Sequence, residues 1–228
     1  MLTCLCDAFF GNVGIATVKV LEHLGCEVFF DDRQTCCGQP PFNAGDWTRA
    51  REVASYAKEI FFGNGQTVVT PSASCAAMTR EGYHLLFPDE KPPQAFELSE
   101  FITKEFGITT WETSRHYKKR IAFHRACHGR SIGLTSQAED LVGSIPGVEL
   151  VTIRNAEQCC GFGGAFSVSE PHLSTEIGRA KIETLLELEP DEIVSGDMGC
   201  LMHLSGMLMR DGNPIRVRHY AEVLADSI

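Results

Sequence analysis

Long apolar runs are missing from this sequence of 228 residues. No stretch approaches the ~20 consecutive apolar residues that a membrane-spanning helix needs, so we expect no membrane span. Basic residues are also scarce, because 20 Lys and Arg stand against 30 Asp and Glu and give a net charge of −10. A nucleic-acid surface requires a basic footprint, and the charge balance therefore predicts no nucleic-acid partner.

Several catalytic and targeting signatures are absent as well. The chain has no Gly-Lys dipeptide of a P-loop and no H-E-x-x-H. The stretch GFGGAF ends in Phe166, where a dinucleotide-binding turn requires a small residue. The amino-terminal stretch has neither the basic region nor the cleavage site of a secretory signal. These absences leave the catalytic residues unknown and predict a protein that is not exported.

Cysteine, in contrast, is abundant, with ten in the chain. Without an export signal, they predict a reducing compartment, that is, a cytoplasmic location. In such a compartment thiols serve metal binding or redox chemistry more often than structural disulfides.

Eight of the ten cysteines form a duplicated pattern. Cys4 lies 32 positions before Cys36, and Cys127 lies 32 positions before Cys159. Both patterns contain an adjacent Cys-Cys-Gly and a final cysteine farther along. Cys6 and Cys26 fall outside the repeat, and we interpret them as ordinary buried thiols. The repeated set is Cys4, Cys36, Cys37 and Cys75 in the first half and Cys127, Cys159, Cys160 and Cys200 in the second.

The flanking chain repeats too, which indicates an internal duplication with units at residues 1–112 and 113–228. Helical stripes of apolar residues alternate with short apolar runs, a pattern typical of parallel βαβ units. We therefore predict an α/β fold of two tandem repeats related by pseudo-two-fold symmetry, each with a small parallel sheet and flanking helices. The predicted strands are Cys26–Phe30, Val68–Thr70, Ile121–Phe123, Val148–Ile153 and Ile193–Ser195.

The positions of the cysteines relative to the strands predict where they meet. Within each repeat they follow strands, and the loops after parallel strands gather at one edge of the sheet. The two repeats differ at their starts, because the stretch KRIAFH precedes Cys127 and only Met1, Leu2 and Thr3 precede Cys4. Three residues make a poor strand. We therefore expect the first sheet to lack this strand and Cys4 to be the least firmly held ligand.

Four converging thiols suit either zinc or an iron–sulfur cluster. Structural zinc sites usually take thiols in C-x2–4-C pairs, whereas adjacent side chains tend to point apart. Two adjacent thiols can reach different irons of a polynuclear centre, so the pairs Cys36–Cys37 and Cys159–Cys160 favour an iron–sulfur cluster. Gly161, Gly163 and Gly164 are expected to let the backbone approach and to donate N–H groups to sulfur. Zinc at one site stays an alternative.

The stretches LGCEVFFDDRQTCCGQPPFNAG, CCGFGGAFSV and GDMGCLMHLSG resemble signature sequences of the lactate utilisation protein A family. That family belongs to the CCG-domain proteins, with the CCG-domain subunit of heterodisulfide reductase and the iron–sulfur subunit of glycolate oxidase. The resemblance covers nearly the whole chain. It implies a cytoplasmic redox subunit that works with companion iron–sulfur and accessory subunits in oxidising L-lactate to pyruvate.

The chain departs from the wider CCG pattern, in which each repeat ends in Cys-x-x-Cys. Ser72 and Asp197 occupy the first of those two positions, and we interpret both as solvent-exposed polar residues, with a role as weak ligands as the alternative. Four cysteines per repeat suffice for a [4Fe–4S] cluster, one or two per chain. His128, beside Cys127, is interpreted as a loop histidine, with donation to a cluster sulfur or proton shuttling as the alternatives. A zinc-binding scaffold and a thiol–disulfide oxidoreductase remain alternative functions.

Overall fold

Every strand in the described part of the chain belongs to one of two parallel sheets. The structure is a computed structural model that describes residues 1–2 and 4–228. The first repeat pairs β1 (Val69–Thr70) with β2 (Phe96–Glu97). The second repeat contains β3 (Lys119–His124), β4 (Val148–Val151), β5 (Glu192–Ser195) and β6 (Arg216–His219), in the order β4–β3–β5–β6. The α/β architecture with tandem repeats is therefore confirmed.

Helices flank both sheets. Those of the first repeat are α1 (Cys4–Phe9), α2 (Gly11–His23), α3 (Gln39–Asn43), α4 (Trp47–Phe62), α5 (Ala73–Ala77), a π-helical turn (Met78–Gly82), α6 (Tyr83–Leu86) and α7 (Leu98–Phe106). Those of the second are α8 (Cys127–Ser131), α9 (Gln137–Gly143), α10 (Phe166–Ser169), α11 (Pro171–Leu186), α12 (Met198–Arg210) and α13 (Tyr220–Asp226).

One predicted strand is wrong: the run Cys26–Phe30 has no regular secondary structure. Its counterpart in the second repeat is β4, which pairs with β3 alone. The first repeat has no strand in the place of β3 among its described residues, so the apolar run lacks a backbone partner. The amine of Met1 donates to the carbonyl of Val69 at 2.8 Å and makes the one described bond at that position. Thr3, which the prediction also placed in this lead-in, lies outside the described residues.

A groove lies beside β1, at the place where the second repeat has its central strand β3. Its volume is about 970 Å³, and Leu21, Val28, Val69 and Phe101 lie along it. Phe29 and Phe30, in the irregular segment, are exposed. The lack of a β3 counterpart therefore leaves apolar surface that the second repeat covers with backbone and side chains of its own.

The two repeats share one hydrophobic core. Val20 and Ile102 from the first repeat pack in the same buried cluster as Ile121, Leu141 and Val223 from the second. Such a shared core means that neither half buries its apolar surface alone. The division at residues 112 and 113 stays a prediction about the duplicated sequence.

Equivalent helix caps tie the repeats together. Glu97 caps α7 and His219 caps α13, each accepting backbone N–H groups of the first turn. The hydroxyl of Tyr220 donates to the carboxylate of Glu97, and the ring of His219 lies 2.8 Å from the carbonyl of Pro71. Each cap thus also bonds to the other repeat.

In the described part of the chain, no helix is long and apolar enough to cross a membrane.

Acid is expected to destabilise the fold through His219. Burial lowers the pKa of this imidazole from 6.5 to about 4. Because the folded pKa is depressed, the unfolded chain binds the additional proton first, and stability is lost as the pH falls from about 6.5 towards 4. The loss reaches roughly 3 kcal/mol at the lower end. Urea unfolding at pH 7.5 and 5.5 should therefore show a smaller difference in His219→Gln than in the parent chain. An equal difference in the two proteins would contradict this prediction.

Candidate metal centres

The cysteines of each repeat gather beyond the carboxyl ends of the strands, as the sequence predicts. Cys4 and Cys127 are the first residues of α1 and α8. The adjacent pairs lie in loops before α3 and after β4. The final cysteines lie in the first turns of helices α5 and α12. Helix starts and loops thus bring thiols together that are up to 73 positions apart in sequence.

In the first set, four sulfurs form a continuous chain of contacts. The thiol of Cys4 bonds to Cys36, and Cys36 bonds to its neighbour Cys37. The sulfur of Cys37 lies 3.4 Å from that of Cys75. Cys37 and Cys75 are buried, whereas Cys4 is exposed.

The second set repeats this chain of contacts in the same order. Cys127 bonds to Cys159, and Cys159 bonds to Cys160. The sulfurs of Cys160 and Cys200 are 3.0 Å apart. Cys4 makes the same kind of contact as Cys127, but it is exposed whereas Cys127 is half-buried. That Cys4 is the least firmly held ligand stays a prediction.

The two thiols of each adjacent pair bond to each other, contrary to the expectation that adjacent side chains point apart. The reason is the glycine that follows. Gly38 and Gly161 have φ angles of 89° and 88°, in the left-handed region that glycine adopts without strain. This conformation lets the amide of Gly38 approach the Cys36 sulfur at 3.4 Å, and that of Gly161 approach the Cys159 sulfur at 3.3 Å. The adjacent spacing alone therefore does not exclude zinc.

The same glycines sit against helices. A side chain on Gly38 would meet the carbonyl of Ala50 at 3.1 Å, and one on Gly161 would meet the amide of Gly178 at 2.9 Å. Helices α4 and α11 carry small residues at these contacts, which allow the Cys-Cys-Gly turns to pack closely. Among the described residues, Gly163 and Gly164 make no contact with sulfur, and Phe162 supplies the other amide, which bonds to Cys160.

In each set, the hydrogen bonds between sulfurs favour the thiolate form of one cysteine. Bonds from Cys37 and Cys4 lower the pKa of Cys36 to about 3. Bonds from Cys127 and Cys160 lower the pKa of Cys159 to about 2. Thiolate is the form that binds metals, and these hydrogen bonds favour it at one cysteine of each set.

Ser72 and Asp197 are buried, and their interpretation as solvent-exposed residues is wrong. Ser72 caps α5 by accepting the amide of Cys75, and Asp197 caps α12 by accepting that of Gly199. Asp197 also accepts the amide of Ser74 at 2.9 Å, in the other repeat. Oxygen acceptors are needed at these positions because the helices that carry the fourth cysteines begin there.

His128 lies between the two sets. Its ring nitrogens are 3.7 Å from the sulfur of Cys127 and 3.4 Å from the side-chain amide of Gln39. Gln39 directly follows the first Cys-Cys-Gly and also donates to the carbonyl of Ser74 at 3.2 Å. His128 is therefore more than a loop histidine, because it connects the surroundings of the two sets.

The residues around the two sets differ in polarity. Helices α4 and α11 each have 16 residues, and by position along them Ala50 and Ala57 correspond to Ser174 and Lys181. Lys181 is fully buried, and its ammonium group donates to the carbonyl of Asn155 at 3.3 Å. Burial lowers its pKa, while the nearby sulfurs of Cys160 and Cys200 act in the opposite direction. The second set therefore has a buried cation beside it, and the first has alanine at that place.

Sequence reasoning missed His124, the last residue of β3. It is 1% exposed, and one of its ring nitrogens lies within 4.8 Å of the sulfurs of Cys160 and Cys200. Burial lowers its pKa to about 4. The signal available in the sequence was its place three residues before Cys127, at the end of a predicted strand.

Two cysteines stay apart from these sets, as expected. Cys6 is buried in a cluster with Val13, Met198 and Leu201. Cys26 lies at the edge of the shared core.

The donor sets fit a thiophilic metal or cluster. Each offers four partly buried sulfurs in mutual contact, with a backbone amide directed at one of them. All-sulfur sites of this kind suit zinc and iron–sulfur clusters, and N–H···S bonds are typical around the latter. The cysteines, together with the buried histidine, therefore indicate metal or cluster binding.

Comparisons with known proteins match both halves of the chain. A family model of the cysteine-rich CCG domain matches residues 1–80 and 121–205. A protein of Geobacillus thermodenitrificans named lactate utilization protein A is 40% identical over 232 residues, which cover 98% of this chain and 96% of the relative. Proteins of the same name from Exiguobacterium sp. and Halalkalibacterium halodurans are 36% and 38% identical, over 100% and 98% of this chain and 96% and 94% of theirs.

Proposed function

Because the chain belongs to the lactate utilisation protein A family of CCG-domain proteins, we propose that it is an iron–sulfur electron-transfer subunit of a system that oxidises L-lactate to pyruvate. The names of the relatives support the role in lactate utilisation. The observation that supports the redox part is the chain of four sulfurs, which occurs twice with the same order of contacts.

In this proposal each repeat holds one cluster, most simply a [4Fe–4S] cluster, through its four cysteines. Cys4, Cys36, Cys37 and Cys75 bind the first, and Cys127, Cys159, Cys160 and Cys200 bind the second. When bound, such a cluster supplies reversible one-electron transfer. The amides of Gly38 and Gly161 donate to sulfur and so reduce the negative charge that the thiolates concentrate there.

The buried ammonium of Lys181 acts on the second site alone. A positive charge beside an anionic cluster stabilises its more negative, reduced form, and net charge is one of the properties that set cluster potentials. Alanine at the equivalent place leaves the first site without this stabilisation. The two sites are therefore suited to different potentials, and His128 and Gln39 lie between them.

Oxidation of L-lactate to pyruvate releases two electrons and two protons, and no residue of this chain is assigned to removing them from the substrate. We therefore place that step on companion iron–sulfur and accessory subunits, with this chain receiving or passing on electrons. The cytoplasm suits this role because its reducing conditions keep the thiols available for metal.

Metal analysis of anaerobically purified protein tests the redox part of the proposal. We expect iron and acid-labile sulfide in stoichiometric amounts, a brown colour and an electron paramagnetic resonance (EPR) signal on reduction. A colourless preparation with stoichiometric zinc would contradict it and favour the zinc-binding scaffold. A metal-free preparation whose adjacent thiols exchange with disulfides would favour the thiol–disulfide oxidoreductase.

A genetic experiment tests the lactate part separately. Deletion of the encoding gene should abolish growth on L-lactate and leave growth on pyruvate unchanged. Plasmid-borne parent protein should restore growth, and the Cys37→Ser and Cys160→Ser variants should not. Normal growth of the deletion strain on L-lactate would contradict this part, provided that no second copy of the gene is present.

A further inference from the structure

We propose that His124 is a ligand of the second metal centre, so that this centre is held by an imidazole as well as by thiolates. The inference rests on the proposed function, in that it requires the second set to bind metal. It concerns the second repeat alone, because the position 123 residues earlier is Met1.

The first support is that the ring has no other described partner. His124 is 1% exposed, and neither Nδ1 nor Nε2 has a hydrogen-bond partner within the described part of the chain. Buried side-chain nitrogens are nearly always hydrogen-bonded, and an exception in a folded protein calls for an unseen group at that place. A bound metal would take up one of these two nitrogens.

The second support is the position of the ring. One of its nitrogens and the sulfurs of Cys160 and Cys200 all lie within 4.8 Å of one another. A metal ion binds imidazole nitrogen at about 2.0–2.1 Å and thiolate sulfur at about 2.3 Å, so two such ligands of one ion are at most about 4.4 Å apart. His124 therefore needs only a small shift to bind the same centre as these two sulfurs.

The backbone holds His124 in this position. The residue pairs with Ser195 in the register between β3 and β5, and the hydroxyl of Ser195 donates to the His124 carbonyl at 2.8 Å. These bonds leave the ring nitrogens uninvolved. The ring projects from a central strand, a more rigid support than the loops that carry Cys159 and Cys160.

An imidazole ligand changes the chemistry of the centre. An iron bound by neutral imidazole rather than by a thiolate carries less negative charge, and histidine ligation of this kind raises the reduction potential of iron–sulfur centres. Together with the Lys181 ammonium, it makes the second centre the better electron acceptor. We therefore expect electrons to pass from the first centre to the second.

Pulsed EPR of protein with 15N-labelled histidine tests the assignment. The reduced second centre should show the strong 15N hyperfine coupling of a directly bound nitrogen, and His124→Ala should lose it. His203→Ala is the matched control, since His203 also lies at this site but its Nε2 is 3.3 Å from the Ser174 carbonyl. The control variant should keep the coupling. Recording the spectra in the Cys37→Ser background removes the signal of the first centre.

A second variant covers the case in which His124→Ala does not fold or load. His124→Cys supplies a thiolate at the same place, and we expect it to retain iron, lose the nitrogen coupling and shift the midpoint potential to more negative values. Absence of the coupling in the parent protein, or its survival in either His124 variant, would overturn the assignment while leaving the proposed function intact. A second set that binds no metal would overturn both.

Discussion

Cys160→Ser is expected to empty the second site and leave the first loaded, and Cys37→Ser is expected to do the reverse. Each cysteine occupies the middle of its sulfur chain, where it contacts both the adjacent thiolate and the final cysteine. A serine hydroxyl is a poor ligand for thiophilic iron. Iron bound per chain should fall by about half in either variant if each repeat holds one cluster, as measured by iron and sulfide analysis of anaerobically purified protein.

Cys26→Ser is the matched control, because Cys26 is a cysteine of the same chain that lies outside both sets. It should keep the full iron content. Its free energy of unfolding should fall by about 1–3 kcal/mol, because a hydroxyl replaces a thiol. If Cys26→Ser empties a site, or if Cys160→Ser keeps all its iron, the assignment of the eight cysteines is wrong.

Gly161→Ala is expected to destabilise the chain and to release metal from the second site. The residue has a φ of 88°, which costs a non-glycine residue about 1–2 kcal/mol. A methyl group would also press on the carbonyl of Ser174 and, at 2.9 Å, on the amide of Gly178, and the resulting backbone shift costs about 1–3 kcal/mol more. A loss of about 3 kcal/mol corresponds to a decrease of roughly 6–12 °C in the melting temperature, which thermal unfolding followed by circular dichroism would measure.

Gly133→Ala separates the two contributions. Gly133 has a φ of 83° but nothing within 4 Å of the position of an added side chain. It should lose only the conformational part, about 1–2 kcal/mol, and keep its iron. Equal melting temperatures and equal iron content in the two variants would show that contact between the Cys-Cys-Gly turn and α11 does not matter.

Much of the site was predictable because the chain is duplicated. A spacing of 32 residues that occurs twice marked Cys4 with Cys36 and Cys127 with Cys159 as related pairs. The alternation of strands and helices then placed all eight at one edge of parallel sheets. The positive φ of Gly161 could also be expected from its residue type, although the helix that packs against it could not.

The errors arose where a residue's role depends on a partner far away in sequence. Cys26–Phe30 has the composition of a strand, but a strand forms only when a neighbouring backbone completes the ladder. Ser72 and Asp197 have side chains typical of surface residues. In the structure, the helices that carry the fourth cysteines begin at these two residues, and Asp197 also bonds to the other repeat.

The sequence by itself determined the duplicated α/β fold, because the periodicity of apolar residues is a local property. It also determined which eight thiols cluster, because parallel strands bring cysteines that follow them to one edge of the sheet. Only the tertiary structure decided how the two centres differ. The packing of β3 and α11 brings His124 and Lys181 to the second set, whereas the first repeat has Met1 and Ala57 at the equivalent positions. The side chains around a buried site are determined by contacts between elements that are distant in sequence. Burial then determines how strongly an unpaired nitrogen or a charge acts at that site.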